Sequence, residues 1–184
     1  MNKYKSKMML HGKNVNFRKI TKSDLHILQR WRNSTDVFLY NTQYVLLNMI
    51  DQKNWYEQIM QKNSDRIMFM VVNKLNAPIG VCGLIHNDLK NKSASIAIII
   101  GEKKFQNKGF GTEILQILID YGFNKLKIHR LEADVFVFNE ASIKFFQKNN
   151  FTQEVILRDS LWRRGKWWDV FIFSILQNEW LQKT

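Results

Sequence analysis

The sequence predicts an α/β (α+β) fold, and three observations carry that prediction. Short apolar runs rich in β-branched and aromatic residues alternate with segments whose apolar residues recur at helical spacing, in the order β, αα, βββ, α, β, α, ββ. At Ser93–Lys127 a strand, a basic loop with two glycines and a helix follow one another without a break. The 184 residues, 45% hydrophobic and 13% aromatic, are enough for a packed core, and no internal repeat or low-complexity linker divides them. One domain over residues 1–184 is expected, with 1–14 as a polar, basic arm.

Residues 15–20 read as the first strand. Thr21 with Asp24 three positions on has the form of a capping box, Asp standing in for Glu. It opens a helix with Leu25, Leu28 and Trp31 on one face. Arg30 and Arg32 fall in its last turn, where the helix dipole favours cations. Residues 33–48 show no clean period and read as loop. A second helix over 51–61 turns Trp55, Ile59 and Met60 inward. Strands follow at 67–72 and 79–85, separated by a turn and the only proline, Pro78. The hydrophilic turn 87–92 makes a hairpin with the strand ending in Ile96–Ile100. After the central stretch come a strand at 130–138, a helix at 140–149 ended by Asn149-Asn150, and a last hairpin, 154–162 and 168–176, around Arg163-Arg164-Gly165-Lys166.

The central stretch has the build of an anion cradle. A helix start presents orphan N–H groups and a partial positive charge, and glycine lets main chain approach a bulky anion. Gln106-Asn107-Lys108-Gly109-Phe110-Gly111 is neither the phosphate loop GxxxxGK[ST] nor the dinucleotide pattern GxGxxG. Set between its strand and helix, it resembles the acyl-CoA signature [QR]-x-x-G-x-[GA] of the GNAT N-acetyltransferase superfamily. Downstream, Asn139-Glu140-Ala141-Ser142 followed by Phe145–Phe151 is similar to that family's N-x-x-[AS]…Y-x-K-x-G-F segment.

The resemblance covers about the whole chain and implies a GNAT fold: a mixed, mostly antiparallel central sheet of about seven strands with helices on both faces. It implies acetyl-CoA as cofactor. Main-chain N–H groups of Gln106, Asn107, Lys108, Gly109, Phe110, Gly111 and Thr112 would hold its pyrophosphate, with Lys103, Lys104 and Lys108 beside it. Ile98, Ile99 and Ile100 would pair with pantetheine through main chain freed where the strand splays from its neighbour. Asn139 and Ser142 match positions that reach the pantetheine arm, and Asn139 is equally suited to cap the helix behind it. The resemblance also implies direct attack by an amine in a ternary complex, without a covalent enzyme intermediate. Two positions depart from the family pattern. The tyrosine that often protonates the departing thiolate aligns with Phe146, which has no proton to give, and the carboxylate sometimes found on the central strand aligns with Ser95. The candidate bases are His86, which ends a strand next to the splay and is the first choice, and then Glu132 and Asp134. Weak bases suit an amine of low pKa: a protein α-amino group titrates near ~7.7–8 and a lysine near ~10.4.

Lys plus Arg number 28 against 16 Asp plus Glu, a net charge of +12. Phosphates of cofactor and acceptor, a nucleic acid such as the ribosome, or a solvated basic surface each account for it. The single cysteine, Cys82, precludes an intramolecular disulfide and suits a reducing cytoplasm. No signal peptide is evident and no apolar run approaches the ~20 residues that span a bilayer. A cytoplasmic protein with no membrane partner and no metal, monomeric or homodimeric, is expected.

For the acceptor, Arg30-Trp31-Arg32-Asn33 with Trp55 resembles the W-R-N segment of acetyltransferases for UDP-linked 4-amino-6-deoxy sugars. The same segment occurs in ribosomal-protein N-terminal acetyltransferases. Trp31, Arg32, Asn33, Trp55 and Trp167 are the candidate acceptor contacts, and helix-face core is the competing role for Trp31 and Trp55. A nucleotide-linked amino sugar is expected first and a peptide N-terminus second. The reading of another class is a non-catalytic module that binds CoA or RNA.

Overall fold

A computed structural model describes residues 8–182. Its strands are β1 (Met8–His11), β2 (Val15–Lys19), β3 (Ile67–Asn73), β4 (Pro78–Asp88), β5 (Ser93–Ile100), β6 (Arg130–Phe136), β7 (Thr152–Arg163) and β8 (Lys166–Leu176). They follow the sheet order β1-β2-β3-β4-β5-β6-β8-β7. Of the pairs whose register is described, only β5 with β6 is parallel. The helices are α1 (Leu25–Asn33), α2 (Thr35–Phe38), α3 (Met49–Met60), α4 (Phe110–Asp120), α5 (Glu140–Lys148) and α6 (Gln177–Leu181). The mostly antiparallel mixed sheet agrees with expectation. The eighth strand is β1, which lies within the segment read as an arm: Leu10 and His11 pair with Phe17 and Asn16. Residues 1–7 of that segment lie outside the described residues. Among the described residues no helix is long and apolar enough to cross a membrane. The chain divides into two compact units, residues 1–85 with 97–118, and residues 86–96 with 119–184.

In the first unit the alternation of β3 separates two faces. Met70 and Val72 pack with Ile20, Leu25, Leu28, Trp31 and Val81 under α1, and Trp55, Tyr56, Ile59 and Met68 close that cluster. Phe69 points the other way, its ring 5.7 Å from that of Phe17. α3 starts at Met49 because Asn48 caps it: Asn48 Oδ1 accepts from Ile50 N and Asp51 N (2.7 and 3.0 Å), while Asp51 Oδ2 accepts from Asn48 N at 2.8 Å. Met60, expected inside, is 56% exposed in the helix's last turn. The first turn of α4 is anchored by Glu113, which accepts from Asn14 N and Nδ2 (2.7 and 2.8 Å) and from Val15 N (3.2 Å).

The second unit joins β6, β8 and β7 with α5 and α6. α4 ends in one wide turn over Tyr121–Lys125, where Leu126 N donates to Tyr121 O at 3.1 Å. α5 ends on Asn149, whose Nδ2 donates to Phe145 O, and Asn150 takes a left-handed φ of 65°. The β7–β8 hairpin turns at Arg164 and Gly165, both left-handed (φ 55° and 74°), the conformation a two-residue hairpin turn of matching twist requires.

One buried ion pair locks the entry to α1. Arg18 donates bidentately to Asp24, both bonds 2.7 Å, and Asp24 also accepts from Thr21 N at 2.8 Å. Burial works to raise the Asp24 carboxyl, but the bonds from Arg18 and Thr21 outweigh it and hold its pKa below the ordinary value. The pair's stabilisation is therefore present above the unfolded pKa and is lost as pH falls through the lowered folded value. Asp24→Ala strands a buried guanidinium and is expected to cost about 3 kcal/mol in urea denaturation at pH 7. The wild-type and variant curves should converge as the pH is brought below ~4. A loss under about 1 kcal/mol at pH 7 would contradict the assignment.

Candidate active site

The cofactor candidates of the central stretch lie in the first unit. Gly101 N and Glu102 N both donate to Ile79 O (3.0 and 3.2 Å), fastening the end of β5 to β4. Gly101, where the chain leaves β5, has no room for a side chain: a Cβ there would stand 2.0 Å from the Trp31 ring. Glu102 Oε1 accepts from Trp31 Nε1 (2.9 Å) and from Arg30 Nη2 (2.7 Å), tying the loop to the end of α1. A short turn over Lys103–Phe105 follows. Gln106 Nε2 then donates back to Ile100 O at 2.8 Å, and the Phe105 and Phe110 rings meet edge to face at 5.1 Å.

Between these two fasteners the main chain takes left-handed φ at Asn107 (57°) and Gly109 (83°) before α4 begins at Phe110. Glu113 N donates to Gly109 O (3.2 Å) as the first helical bond. The N–H groups of Phe110, Gly111 and Thr112 are therefore the helix's orphan donors, at its positive end. Such an end is suited to a diphosphate. Lys104 and Lys108 are exposed beside it, whereas Lys103 is engaged by Asp36 at 2.5 Å.

β5 pairs with β6 only from Ser93↔Arg130 to Ser95↔Glu132. Ile98, Ile99 and Ile100 lie beyond that register. The Ile100 carbonyl already holds the Gln106 amide, so Gln106, expected at the cofactor through its N–H, has a side chain that braces the loop.

In the second unit the three base candidates differ in availability. Arg130 binds Glu132 (Nε to Oε1, 2.5 Å) and, through Nη1 and Nη2, the Glu154 carboxylate, so Glu132 is committed to an ion-pair cluster. Asp134, on the same face of β6, carries no such bond among the described residues. Asp134 is exposed on the strand face, and partial desolvation, with the Glu132 charge adding and His86 opposing, moves its carboxyl above the ordinary value. His86 is exposed and left-handed (φ 52°), an irregularity inside β4. Asn139 caps α5 by accepting from Ser142 N at 3.2 Å, the capping role the sequence offered it. Phe146 is 8% exposed among Phe151 (5.0 Å) and Phe173 (6.0 Å), a core position without proton chemistry.

The acceptor candidates separate. Trp31 is 2% exposed and belongs to the core, which corrects its assignment as an acceptor contact. Asn33 is corrected as well: it donates to Leu47 O (2.8 Å) and accepts from Leu47 N (2.9 Å), both ends of its amide holding the chain ahead of α3. Arg32 and Trp55 are brought together, the guanidinium carbon 5.9 Å from the ring centroid. Trp167 lies in the other unit, 55% exposed and edge to face with Trp162.

Residues 14–152 match the acetyltransferase (GNAT) domain family. The chain belongs to this family. It is similar to an uncharacterised N-acetyltransferase, p20, of Bacillus licheniformis, 29% identical over 92% of the chain and 97% of the relative. It is also similar to the spermidine N(1)-acetyltransferase of Vibrio cholerae, 24% identical over 92% and 97%. The crystal structure of spermidine N-acetyltransferase from Vibrio cholerae in complex with CoA and spermine superposes with a TM-score of 0.83 at 24% identity, covering 91% of this chain and 98% of that one. This GNAT protein is an acetyl-CoA-dependent N-acetyltransferase, which sets aside the non-catalytic reading.

Gly109 is where the loop's backbone conformation meets the orphan donors. Alanine there meets no atom within 4 Å but must hold φ near +83°. The strain is about 1 kcal/mol, so Gly109→Ala should weaken CoA binding roughly fivefold by calorimetry. Unaltered CoA affinity would show that this conformation is not the one that binds.

Proposed function

We propose that the chain transfers the acetyl group of acetyl-CoA to the primary amine of a small molecule, with a nucleotide-linked amino sugar as the first acceptor class. The observation that carries the cofactor half of this reading is the braced turn that leaves the Phe110, Gly111 and Thr112 N–H groups unpaired at the start of α4. The observation that carries the acceptor half is Arg32 lying over Trp55, a guanidinium and an indole suited to a phosphate and a flat ring. Bound acetyl-CoA supplies the thioester carbonyl that a neutral amine attacks.

The residues of the chain do the rest. The loop donors hold the diphosphate by hydrogen bonds that cost no reorganisation. Asp134 takes the amine proton, directly or through water. Its raised pKa makes it a stronger base than an ordinary carboxylate, and its freedom from ion pairing distinguishes it from Glu132. Phe146 leaves the departing thiolate to solvent.

A polyamine acceptor is the second reading, favoured by likeness to a spermidine acetyltransferase over nearly the full chain. Thiol release from acetyl-CoA would be followed with a UDP-linked 4-amino-6-deoxy sugar, spermidine and a peptide with a free N-terminus. Turnover of the sugar above the others is expected. Preference for spermidine would install the second reading, and activity on peptides alone would reject both.

Asp134→Asn should lower kcat by about 100-fold with the best substrate. The folded state holds this proton more tightly than the unfolded state. Ionisation at neutral pH therefore opposes folding, and the amide variant should keep or gain thermal stability. Full activity in Asp134→Asn would remove this residue from the mechanism.

A further inference from the structure

β6, β8 and β7 lie side by side in the second unit, and their register puts Asp134 opposite Ile172 and Ile172 opposite Val155. Residues directly opposite one another on antiparallel strands point to one face, with Cβ atoms about 4.5–5.5 Å apart. The next row on that face is Phe136, Val170 and Leu157. On the other face Ala133 is opposite Phe173, against which Phe146 of α5 stacks at 6.0 Å. α5 therefore packs on the side away from Asp134.

The surroundings of Asp134 on its own face are uneven. Two residues back along β6, Glu132 is held by Arg130, which also holds Glu154. Two residues on, Phe136 is buried. Across the sheet the first side chain is Ile172, half-buried, and the second is Val155. Apart from Asp134 itself, these two rows are wholly apolar. Val155 and Leu157 nevertheless stay 43% and 41% exposed. A single exposed aliphatic residue is ordinary. Here two of them adjoin Ile172 and lead to an exposed carboxylate, so hydrocarbon and anion form one strip. Such a strip is complementary to an ammonium group attached to hydrocarbon. A hydroxyl placed over it would lose water and find no partner.

We propose that Ile172, Val155 and Leu157 select the acceptor, by seating a hydrocarbon group borne on the carbon next to the amine-bearing carbon and discriminating against a hydroxyl at that place. This inference rests on the reading of Asp134 as the group that takes the amine proton, and it narrows the substrate class. Among nucleotide-linked amino sugars, the 4-amino-6-deoxy type carries such a group, because the methyl on C5 adjoins the amine-bearing C4. The 6-hydroxy counterpart carries a hydroxymethyl group there. None of the three residues exchanges a proton; they set which amine comes to rest at Asp134.

The test compares kcat/KM for a UDP-linked 4-amino-6-deoxy sugar with that for its 6-hydroxy counterpart. In parallel, 2-methylcyclohexylamine is compared with 2-(hydroxymethyl)cyclohexylamine, a pair with the same difference and no nucleotide. Wild type should favour the methyl member by about tenfold or more. Ile172→Thr and Val155→Thr keep the β-branching that suits a strand, and each should bring the ratio below about threefold. The KM for acetyl-CoA should stay at its wild-type value. The ratio is read within one variant, so a loss of folded protein cancels from it. A wild-type ratio near one, or the wild-type ratio retained in both variants, would overturn the proposal. Retention of the ratio in variants that sediment as a smaller species would give the strip to a second copy of the chain. Turnover of the cyclohexylamines without the sugars would reject the nucleotide-sugar reading, and the second pair would then judge the strip by the same comparison. No turnover of any of the four amines would overturn both.

Discussion

The contact between the Trp31 ring and the main chain at Gly101 sets the geometry on which the loop ahead of α4 depends. The indole occupies the space a side chain at residue 101 would need. Its N–H reaches Glu102, and that carboxylate also gathers Arg30. The end of α1, the end of β5 and the start of the loop are thereby one braced corner. From that corner Gln106 bonds back to Ile100, and Phe105 lies against Phe110. The turn through Asn107 and Gly109 thus has little freedom left, and the donors at the start of α4 point where the backbone sends them. Preorganisation of this kind lets main-chain groups bind a diphosphate without an ordering cost at the moment of binding.

Charge is apportioned by the same logic. A surplus of +12 says little by itself. The arrangement says more: Arg30, Lys103, Arg18 and Arg130 are answered by carboxylates, while Arg32 is answered by a neutral amide and an indole. Exposed pairs such as Lys103 with Asp36 contribute little to stability. In the second unit the same sorting leaves Glu132 bound by Arg130 and Asp134 unbound, so two carboxylates on one strand face have different chemistry.

Local patterns made much of this legible in the sequence. Periodicity placed the strands and the main helices, because one-sided burial forces it, and the glycine spacing around Gly109 located the loop. The misses are non-local. β1 has no apolar alternation to announce it and forms by pairing along β2. Trp31 carries the same helix spacing whether it faces core or cleft, and only the approach of Gly101, far along the chain, decides for core. Asn33 looked like a ligand contact because its partner is main chain, which leaves no mark in sequence. The cap at Asn139 was legible because that role is set by residues beside it.

The central claim is that main-chain donors at the start of α4 grip the diphosphate of CoA. Amide proton–nitrogen spectra recorded as CoA is titrated into uniformly labelled protein test it directly. The largest changes should fall on Lys108, Gly109, Phe110, Gly111 and Thr112, shifted downfield as their N–H groups take on phosphate oxygens. If CoA bound and those five amides kept their positions while others moved, the cofactor would be held elsewhere and the account would be wrong.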